Sequence, residues 1–250
     1  MSAGFADHFS DQSRDYARYR PDYPPALFAW LAKTAPGRRL AWDCATGSGQ
    51  AALGLAGHFD QVLASDASAA QLTGAARHPR IRYLRARAEA SGLAGGRFDL
   101  IAVAQALHWF DLGAFYREVR RLLRPNGVIA VWSYQLLRCE PGIDRLIDRF
   151  DQDIVGPYWP PERRLVDSGY RDLPFPFDKL PAPDVEMHAD GDQAQLVGYL
   201  GTWSSVQRYR KALDRNPLTR LVPALASAWG DANARRRIRW PLALLAGRNQ

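Results

Sequence analysis

Short apolar runs alternate with amphipathic stretches between residues 38 and 134, and this alternation limits the possible folds more than any other feature. Predicted strands lie at residues 40–44, 62–66, 81–85, 98–104 and 127–132, and predicted helices at residues 50–58, 69–77 and 112–123. Strands that alternate with helices of this length form a parallel sheet with helices on both faces. The sequence therefore predicts an α/β fold whose ligands bind beyond the carboxyl ends of the strands.

The segments on either side of this core have a different character. Residues 1–37 look helical and aromatic, and residues 135–236 combine proline-rich turns with helical stretches near 143–155, 192–214 and 217–229. We expect one domain over residues 1–250, with a core at 38–134 and a roof over the strand ends made by the two flanks. Residues 237–250 are predicted to form a last strand, in which Pro241 suits an edge or strand-end position.

Composition excludes several classes of protein. A chain of 250 residues with 47% apolar and 24% charged residues can bury a core without disulfides and is not disordered. No apolar run is long enough to cross a membrane, and the first residues have no secretory signal pattern. Two cysteines outside any CxxC pair and five histidines without ligand spacing predict no metal site, and we expect a cytoplasmic protein.

The net charge of +7 raises the question of a nucleic-acid partner. The basic residues are almost all arginines spread along the chain, and the densest run is only Arg235 to Arg237. A moderate, scattered excess is typical of a solvated surface. We therefore expect a small-molecule partner rather than a nucleic acid or a membrane, and a monomer or homodimer.

Acidic residues follow three successive predicted strands. Asp43 opens a small-residue loop that runs to Gly49, where glycine lets the backbone approach a ligand closely. A carboxylate here would repel a pyrophosphate but suits an ammonium or sulfonium group. Asp66 closes the second strand, where an acid can hold ribose hydroxyls, and Glu89 follows the third, where it could accept from an exocyclic amine. The pattern favours a cationic ligand that contains a ribose.

These motifs resemble those of class I S-adenosylmethionine-dependent methyltransferases, and within them small-molecule enzymes of the trans-aconitate methyltransferase type. The segments that carry the resemblance are residues 43–49, Asp66, residues 88–89, 105–110, 16–24, 124–127, 202–204 and 240–242. The resemblance implies a Rossmann-like, mostly parallel sheet of seven strands. It also implies S-adenosylmethionine as cofactor and S-adenosylhomocysteine as product.

The resemblance also implies roles for individual residues. Those expected to bind the cofactor are Asp43, Ala45, Gly47, Gly49, Asp66, Ala67, Ala88, Glu89 and Gln105. Those expected near the methyl acceptor are Tyr16, Tyr19, Arg20, Trp109, Tyr134 and Trp203, with His108 as the candidate catalytic base. Ala45 departs from the family pattern, which commonly has glycine there, and alanine is penalised at positive φ.

The chemistry of the acceptor remains open at this point. A carboxylate needs no base but needs cations to orient it, for which Arg18, Arg20, Arg163 and Arg164 are candidates. A phenol or an amine would need a base, for which His108 is best placed. We favour methylation of a small carboxylate.

Three other functions remain as alternatives. A nucleic-acid methyltransferase would fit the charge, although residues 104–109 lack the Pro-Pro-Tyr type signature of base amino methylation. A nicotinamide oxidoreductase would fit the pattern Gly47-x-Gly49-x-x-Ala52, but Asp43 argues against it. The third is a protein that binds the cofactor and methylates nothing.

Overall fold

A computed structural model describes residues 19–249. Its sheet has the strand order β3-β2-β1-β4-β5-β8-β6, and the short strand β7 pairs with the first half of β8. Strands β1 to β5 are parallel to one another, whereas β8 runs antiparallel to β5. The strands are β1 (Leu40–Cys44), β2 (Gln61–Asp66), β3 (Ile81–Arg85), β4 (Phe98–Ala104), β5 (Leu123–Tyr134), β6 (Asp178–Lys179), β7 (Glu186–Gly191) and β8 (Arg236–Arg248). This confirms the predicted Rossmann-like sheet.

Helices cover both faces of the sheet and the region beyond the carboxyl ends of its strands. They are α1 (Pro25–Thr34), α2 (Gln50–Ala56), α3 (Ala69–Thr73), α4 (Leu112–Leu122), α5 (Pro141–Arg149), α6 (Arg163–Asp167), α7 (Gln193–Gly201), α8 (Ser204–Leu213) and α9 (Leu218–Trp229). A π-helical turn, Phe150–Ile154, continues α5. No helix among residues 19–249 is long and apolar enough to cross a membrane.

Alternate residues of the central strands belong to two separate cores. Leu100 and Ala102 of β4 face the core that contains α1, α2 and the C-terminal helices. Ile101 and Val103 face the core that contains α4. Side chains of successive strand residues point to opposite faces, so a strand buried on both faces is apolar throughout. This accounts for the run at residues 98–104, which is apolar at every position except the buried Asp99.

Several predicted elements differ in length from those observed. Helix α2 ends at Ala56 and α3 at Thr73, because Gly57 and Gly74 cap them. Strand β5 begins at Leu123 rather than at residue 127. Its pairing with β4 shifts register between Phe98 and Leu100, and Asn126, in that stretch, has φ +61°. The Pro125 to Gly127 segment is therefore an irregularity inside β5. Helix α4 has already ended at Leu122, before this segment.

The terminal strand is interior to the sheet, which corrects the edge position considered for it. Residues 242–248 of β8 pair with β5, and residues 236–241 pair with β7. Pro241 lies where β8 changes from one partner to the other, and its carbonyl accepts from the Gln135 amide at 2.9 Å. A proline is tolerated here because the change of pairing partner does not require the backbone N–H that proline lacks.

Candidate functional site

The loop after β1 adopts the backbone conformation that glycine allows. Gly47 and Gly49 have φ of +56° and +86°, and Ala45 has φ +57°. A Cβ on Gly49 would lie 2.3 Å from the Tyr83 hydroxyl, so this position requires glycine on steric grounds as well. Ala45 thus takes the left-handed conformation that its family position demands, although it carries a Cβ.

Asp66 ties this loop to the end of β2. Its Oδ2 accepts from the Gly47 amide at 3.0 Å, and its Oδ1 accepts from the Ser68 amide at 2.9 Å. The cap of α3 is Ser68 rather than Asp66. Asp66 is therefore not a simple helix cap: its carboxylate lies against the glycine loop, where a ribose is expected. Ala67 follows it, half-buried, and its carbonyl accepts from Arg85 at 3.0 Å.

Asp43 is a fully buried carboxylate at the end of β1. The Thr46 hydroxyl donates to its Oδ2. The Ala52 amide lies near the carboxylate and lowers its pKa, but no described residue reaches Oδ1 with full hydrogen-bond geometry. Burial raises the pKa of Asp43 to about 7, and the nearby Asp66 carboxylate raises it further. A buried carboxylate oxygen without a donor is costly, and an ammonium group would supply the missing donor, whereas a sulfonium would supply only opposite charge.

The end of β3 brings a third acid to the same region. Ala88 is buried, and the Glu89 carboxylate accepts from the Asp111 amide at 3.2 Å and pairs with Arg87 at 3.4 Å. Burial raises the pKa of the Cys44 thiol, and the charges of Asp43, Glu89 and Asp66 raise it further. The three predicted acids therefore lie near the end of β1, as does Glu118.

Gln105, directly after β4, connects this region to a cavity. Its backbone has φ +57°, and its amide donates to the Trp132 carbonyl at 2.9 Å. Its side-chain Nε2 is buried without a hydrogen-bond partner among the described residues. Strands β1 and β4 are neighbours at the point where the strand order reverses, which is where such sheets bind ligands.

The cavity has a volume of about 110 Å³ and lies between the ends of β4 and β5 and the C-terminal segments. Its walls are aromatic and basic. The predicted residues that line it are Arg20, Gln105, His108, Trp109, Tyr134 and Trp203. Arg163, a candidate cation from the sequence, also lines it. Further lining residues that had no predicted role are Gln135, Trp159, Pro160, Val166, Tyr199 and Thr202.

Two guanidinium groups reach the cavity from different segments. Arg20 donates through Nε to the Thr202 hydroxyl at 3.0 Å, and through Nη1 to the Tyr134 hydroxyl. Arg163, on α6, pairs with Asp167 at 2.6 Å and lies 4.1 Å from the centre of the Trp159 ring. Among the described residues, no Asp or Glu lines the cavity. Its walls therefore suit an anion.

His108 contributes a neutral imidazole to the same wall. Its Nδ1 lies 2.9 Å from the hydroxyl oxygen of Tyr170. Burial and the nearby Arg163 lower the pKa of His108 to about 4. The ring is therefore uncharged at neutral pH.

Not every predicted acceptor residue reaches the cavity. Tyr16 and Arg18 lie outside the described residues. The Tyr19 ring packs against Gly198 of α7, where a Cβ would approach it to 2.4 Å. Arg164 is exposed and does not line the cavity, in contrast to its neighbour Arg163. No group of three or more potential metal-ligating side chains occurs within residues 19–249.

Comparisons with known proteins bear on this site. Residues 42–131 match the methyltransferase domain family. A Dictyostelium discoideum protein named as a methyltransferase is 32% identical over 229 residues, which cover 90% of this chain and 87% of that protein. The chain belongs to the class I S-adenosylmethionine-dependent methyltransferases. An uncharacterized methyltransferase of Mycobacterium tuberculosis is 36% identical over 225 residues, 87% of each chain.

A solved structure supports the same assignment for this methyltransferase. The structure, from Anaeromyxobacter dehalogenans and described as a type II methyltransferase, is 47% identical with a TM-score of 0.87. The match covers 92% of this chain and 98% of that one. The nicotinamide oxidoreductase considered from the glycine pattern is set aside, and the cofactor is S-adenosylmethionine.

The residues present fit this cofactor. The buried Asp43 oxygen lacks a donor, and a positively charged amino acid portion would provide one. Asp66 is in direct contact with the left-handed glycine loop, so a nucleoside bound against this loop would lie beside the Asp66 carboxylate. Asp43, Ala45, Gly47, Gly49, Asp66, Ala67, Ala88, Glu89 and Gln105 remain the residues predicted to hold it.

Proposed function

We propose that this methyltransferase methylates a carboxylate of a small organic acid to give a methyl ester. The observation that carries the proposal is the cavity beside Gln105, which has two guanidinium groups, Arg20 and Arg163, and no acidic side chain among its described lining residues. Guanidinium groups bind carboxylates with paired hydrogen bonds. Aromatic rings around them, such as Trp159 and Trp203, would exclude water from a small planar acid.

Positioning would be the main task of the chain's residues in this reaction. When bound, S-adenosylmethionine supplies an electrophilic methyl group on a positively charged sulfur. A carboxylate is already a nucleophile, so no residue has to remove a proton from it. Arg163 and Arg20 would hold the acid with one oxygen directed towards Gln105 and the cofactor site, and orientation of this kind can contribute about 7 to 11 kcal/mol.

The state of His108 favours a carboxylate over a phenol or an amine. A base works best when its pKa is near the working pH, and the pKa of His108 is lowered to about 4. An imidazole of this kind is a poor proton acceptor at neutral pH. Methylation of an amine or a phenol would lack the base that it needs.

The reaction can be tested by the chemistry of its product. Purified protein would be incubated with methyl-labelled S-adenosylmethionine and a panel of small carboxylic acids, phenols and amines, with trans-aconitate as the first acid because of the resemblance stated above. Methyl esters release labelled methanol in mild alkali, whereas aryl methyl ethers and methylamines do not. We expect alkali-labile label with acids alone. Stable label on a phenol or an amine would contradict the proposal.

Arg163 and Arg164 provide a matched pair of variants. They are adjacent in α6, but only Arg163 lines the cavity. Loss of a charged hydrogen bond costs about 1.5 to 3 kcal/mol, so Arg163→Gln should lower kcat/KM for the acid about 10- to 100-fold. Arg164→Gln should leave kcat/KM unchanged, and neither variant should alter the Kd of S-adenosylhomocysteine. Equal effects of the two substitutions would refute a specific role for Arg163.

A further inference from the structure

We infer that Tyr170 holds His108 in the neutral tautomer with its proton on Nε2, and that this N–H donates a hydrogen bond to the methyl acceptor. The inference rests on the proposed acceptor cavity and deepens it. It assigns His108 the role of a hydrogen-bond donor in place of the predicted base, and Tyr170 the role of a positioning residue.

The geometry leaves one ring nitrogen for the cavity. Nδ1 of His108 lies 2.9 Å from the Tyr170 hydroxyl, and the two rings are inclined by 30°, with centroids 6.0 Å apart. Nε2 has no hydrogen-bond partner among the described residues, and the His108 side chain forms part of the cavity wall. Because Tyr170 engages Nδ1, an acceptor in the cavity can interact only with Nε2.

The chemistry of the pair decides where the proton lies. A phenol is a stronger acid than a neutral imidazole, and an imidazole nitrogen is a better acceptor than a phenol oxygen. The Ser133 hydroxyl and the His108 backbone N–H lie near the Tyr170 oxygen and lower its pKa, as donors do, so the Tyr170 proton is directed to Nδ1. The hydrogen bond at one ring nitrogen places the imidazole proton on the other. Burial raises the pKa of Tyr170 and lowers that of His108, so both groups are neutral near pH 7.

The backbone of Tyr170 fixes the position of its ring. Gly169 and Tyr170 have φ of +60° and +61°, a conformation that bulky residues rarely adopt. The Tyr170 amide donates to the Leu165 carbonyl at 2.8 Å, and its side chain is buried. An unfavourable conformation persists only where the surroundings fix it, and here it directs the phenol to His108.

A donor of this kind complements the two arginines. Arg20 and Arg163 attract an anion by charge, whereas the His108 N–H adds a directed hydrogen bond without further charge. An acceptor with a carboxylate or a hydroxyl oxygen facing Nε2 would be oriented by it. An acceptor that presents a cationic or N–H group there would be rejected.

Nitrogen-15 NMR of the imidazole side chains tests the tautomer without any acceptor. The wild-type protein with S-adenosylhomocysteine would be measured at about pH 7. The His108 signals would be assigned by their loss in His108→Gln. We expect the Nε2–H tautomer. Tyr170→Phe should give a mixture of tautomers, and Tyr116→Phe should not, because the Tyr116 hydroxyl donates to the Pro174 carbonyl instead. An Nδ1–H or protonated ring in the wild type, or no change in Tyr170→Phe, would overturn the inference.

Methyl transfer to the acid panel separates a donor from a base. Glutamine can place an amide N–H near the Nε2 position, but it cannot accept a proton. Loss of one hydrogen bond in His108→Ala should lower kcat/KM about tenfold, and His108→Gln should restore most of it. A His108→Gln variant as slow as His108→Ala would overturn the donor role. If no acid is methylated, the proposed function fails, whereas the NMR measurement still decides the tautomer.

Discussion

Asp43 combines two properties that rarely occur together, full burial and a carboxylate oxygen without a partner among the described residues. The cost of burying its charge appears in a pKa raised from 3.8 to about 7. A cationic cofactor portion would remove that cost by restoring the ionised form. Asp43 therefore links the affinity for the cofactor to pH.

The affinity should accordingly decrease in mildly acidic solution. The folded carboxyl group is protonated below about pH 7, and a protonated Asp43 cannot attract a cation. We expect the Kd of S-adenosylhomocysteine to rise by up to about tenfold for each pH unit below 7. Calorimetric titrations over this range would measure it. Asp43→Asn should bind weakly at every pH and show no such dependence, so a parallel dependence in both proteins would exclude Asp43 as its source.

Ala45 shows that the loop conformation is retained against a local preference. The left-handed conformation costs about 1 to 2 kcal/mol for a residue with a Cβ, and Ala45→Gly removes that cost. Because glycine also makes the unfolded chain more flexible, the net gain in unfolding free energy should be about 0.5 to 1 kcal/mol.

A second alanine serves as the control. Ala226→Gly, at an exposed position within α9, should decrease the unfolding free energy by about 0.5 to 1 kcal/mol. Urea denaturation would measure both variants. A loss of stability in Ala45→Gly similar to that in Ala226→Gly would contradict the strain assigned to Ala45.

Residues of the cofactor region could be predicted because their signals are local. Asp43 and Gly47 follow a recognisable strand within a few positions, and Asp66 ends the next one. Tyr199 and Thr202 could not be identified in this way, because long-range packing of α7 brings them to the cavity. Trp159 lies among the proline-rich turns of residues 135–236, where no local pattern indicates which residues face the cavity.

At the scale of elements, Asp99 joins the amino ends of three strands. Its carboxylate is fully buried and accepts from the Arg39 and Leu40 amides at 2.9 and 3.0 Å. It also pairs with Arg124 at 2.8 Å. These contacts connect β1, β4 and β5 at the edge of the sheet opposite the site.

Loss of this carboxylate should therefore affect stability rather than ligand binding. Asp99→Ala leaves two backbone donors and one arginine without their acceptor, and we expect the unfolding free energy to fall by about 3 kcal/mol. Asp172→Ala, at an exposed position, should change it by less than about 0.5 kcal/mol. Urea denaturation measures the stabilities. If the change in the binding free energy of S-adenosylhomocysteine were larger than the change in the unfolding free energy, this structural role would be contradicted.

Element identities could be predicted from the sequence because each strand and helix has its own apolar period. Boundaries were less accurate. Gly57 and Gly74 end α2 and α3 earlier than the apolar pattern suggested, and the irregular start of β5 depends on its pairing with β4. The interior position of β8 depends on β6, which pairs with β8 at the edge of the sheet. Strand β6 is only two residues long, and no clear local sequence pattern indicates it.

At the scale of the whole molecule, ion pairs within the chain neutralise part of the positive charge. Two of the three arginines in the densest run have acidic neighbours: Arg236 pairs with Glu140, and Arg237 lies 3.6 Å from Asp190. Arg235 donates to the backbone carbonyl of Asp190. Arg239 lies 3.7 Å from Glu186. These pairs reduce the field that a phosphate backbone would meet at the first half of β8.

Nucleic-acid binding should therefore be weak. We expect fluorescence anisotropy with short labelled duplexes to detect no complex at about physiological ionic strength, where non-specific binders have Kd values of about 10⁻⁴ to 10⁻⁶ M. A tight complex whose affinity falls steeply with salt would instead favour the nucleic-acid methyltransferase alternative.

The central claim is that Asp43 and Asp66, at the ends of β1 and β2, hold the positively charged portion and the nucleoside of the cofactor beside the acceptor cavity. Calorimetric titration of the wild type and Asp66→Ala with S-adenosylhomocysteine and NAD tests it most directly, with thermal melting as the check on folding. We predict binding of S-adenosylhomocysteine but not of NAD, and affinity about 10- to 100-fold weaker in Asp66→Ala. Binding of NAD, or an unchanged Kd in a folded Asp66→Ala, would contradict the claim.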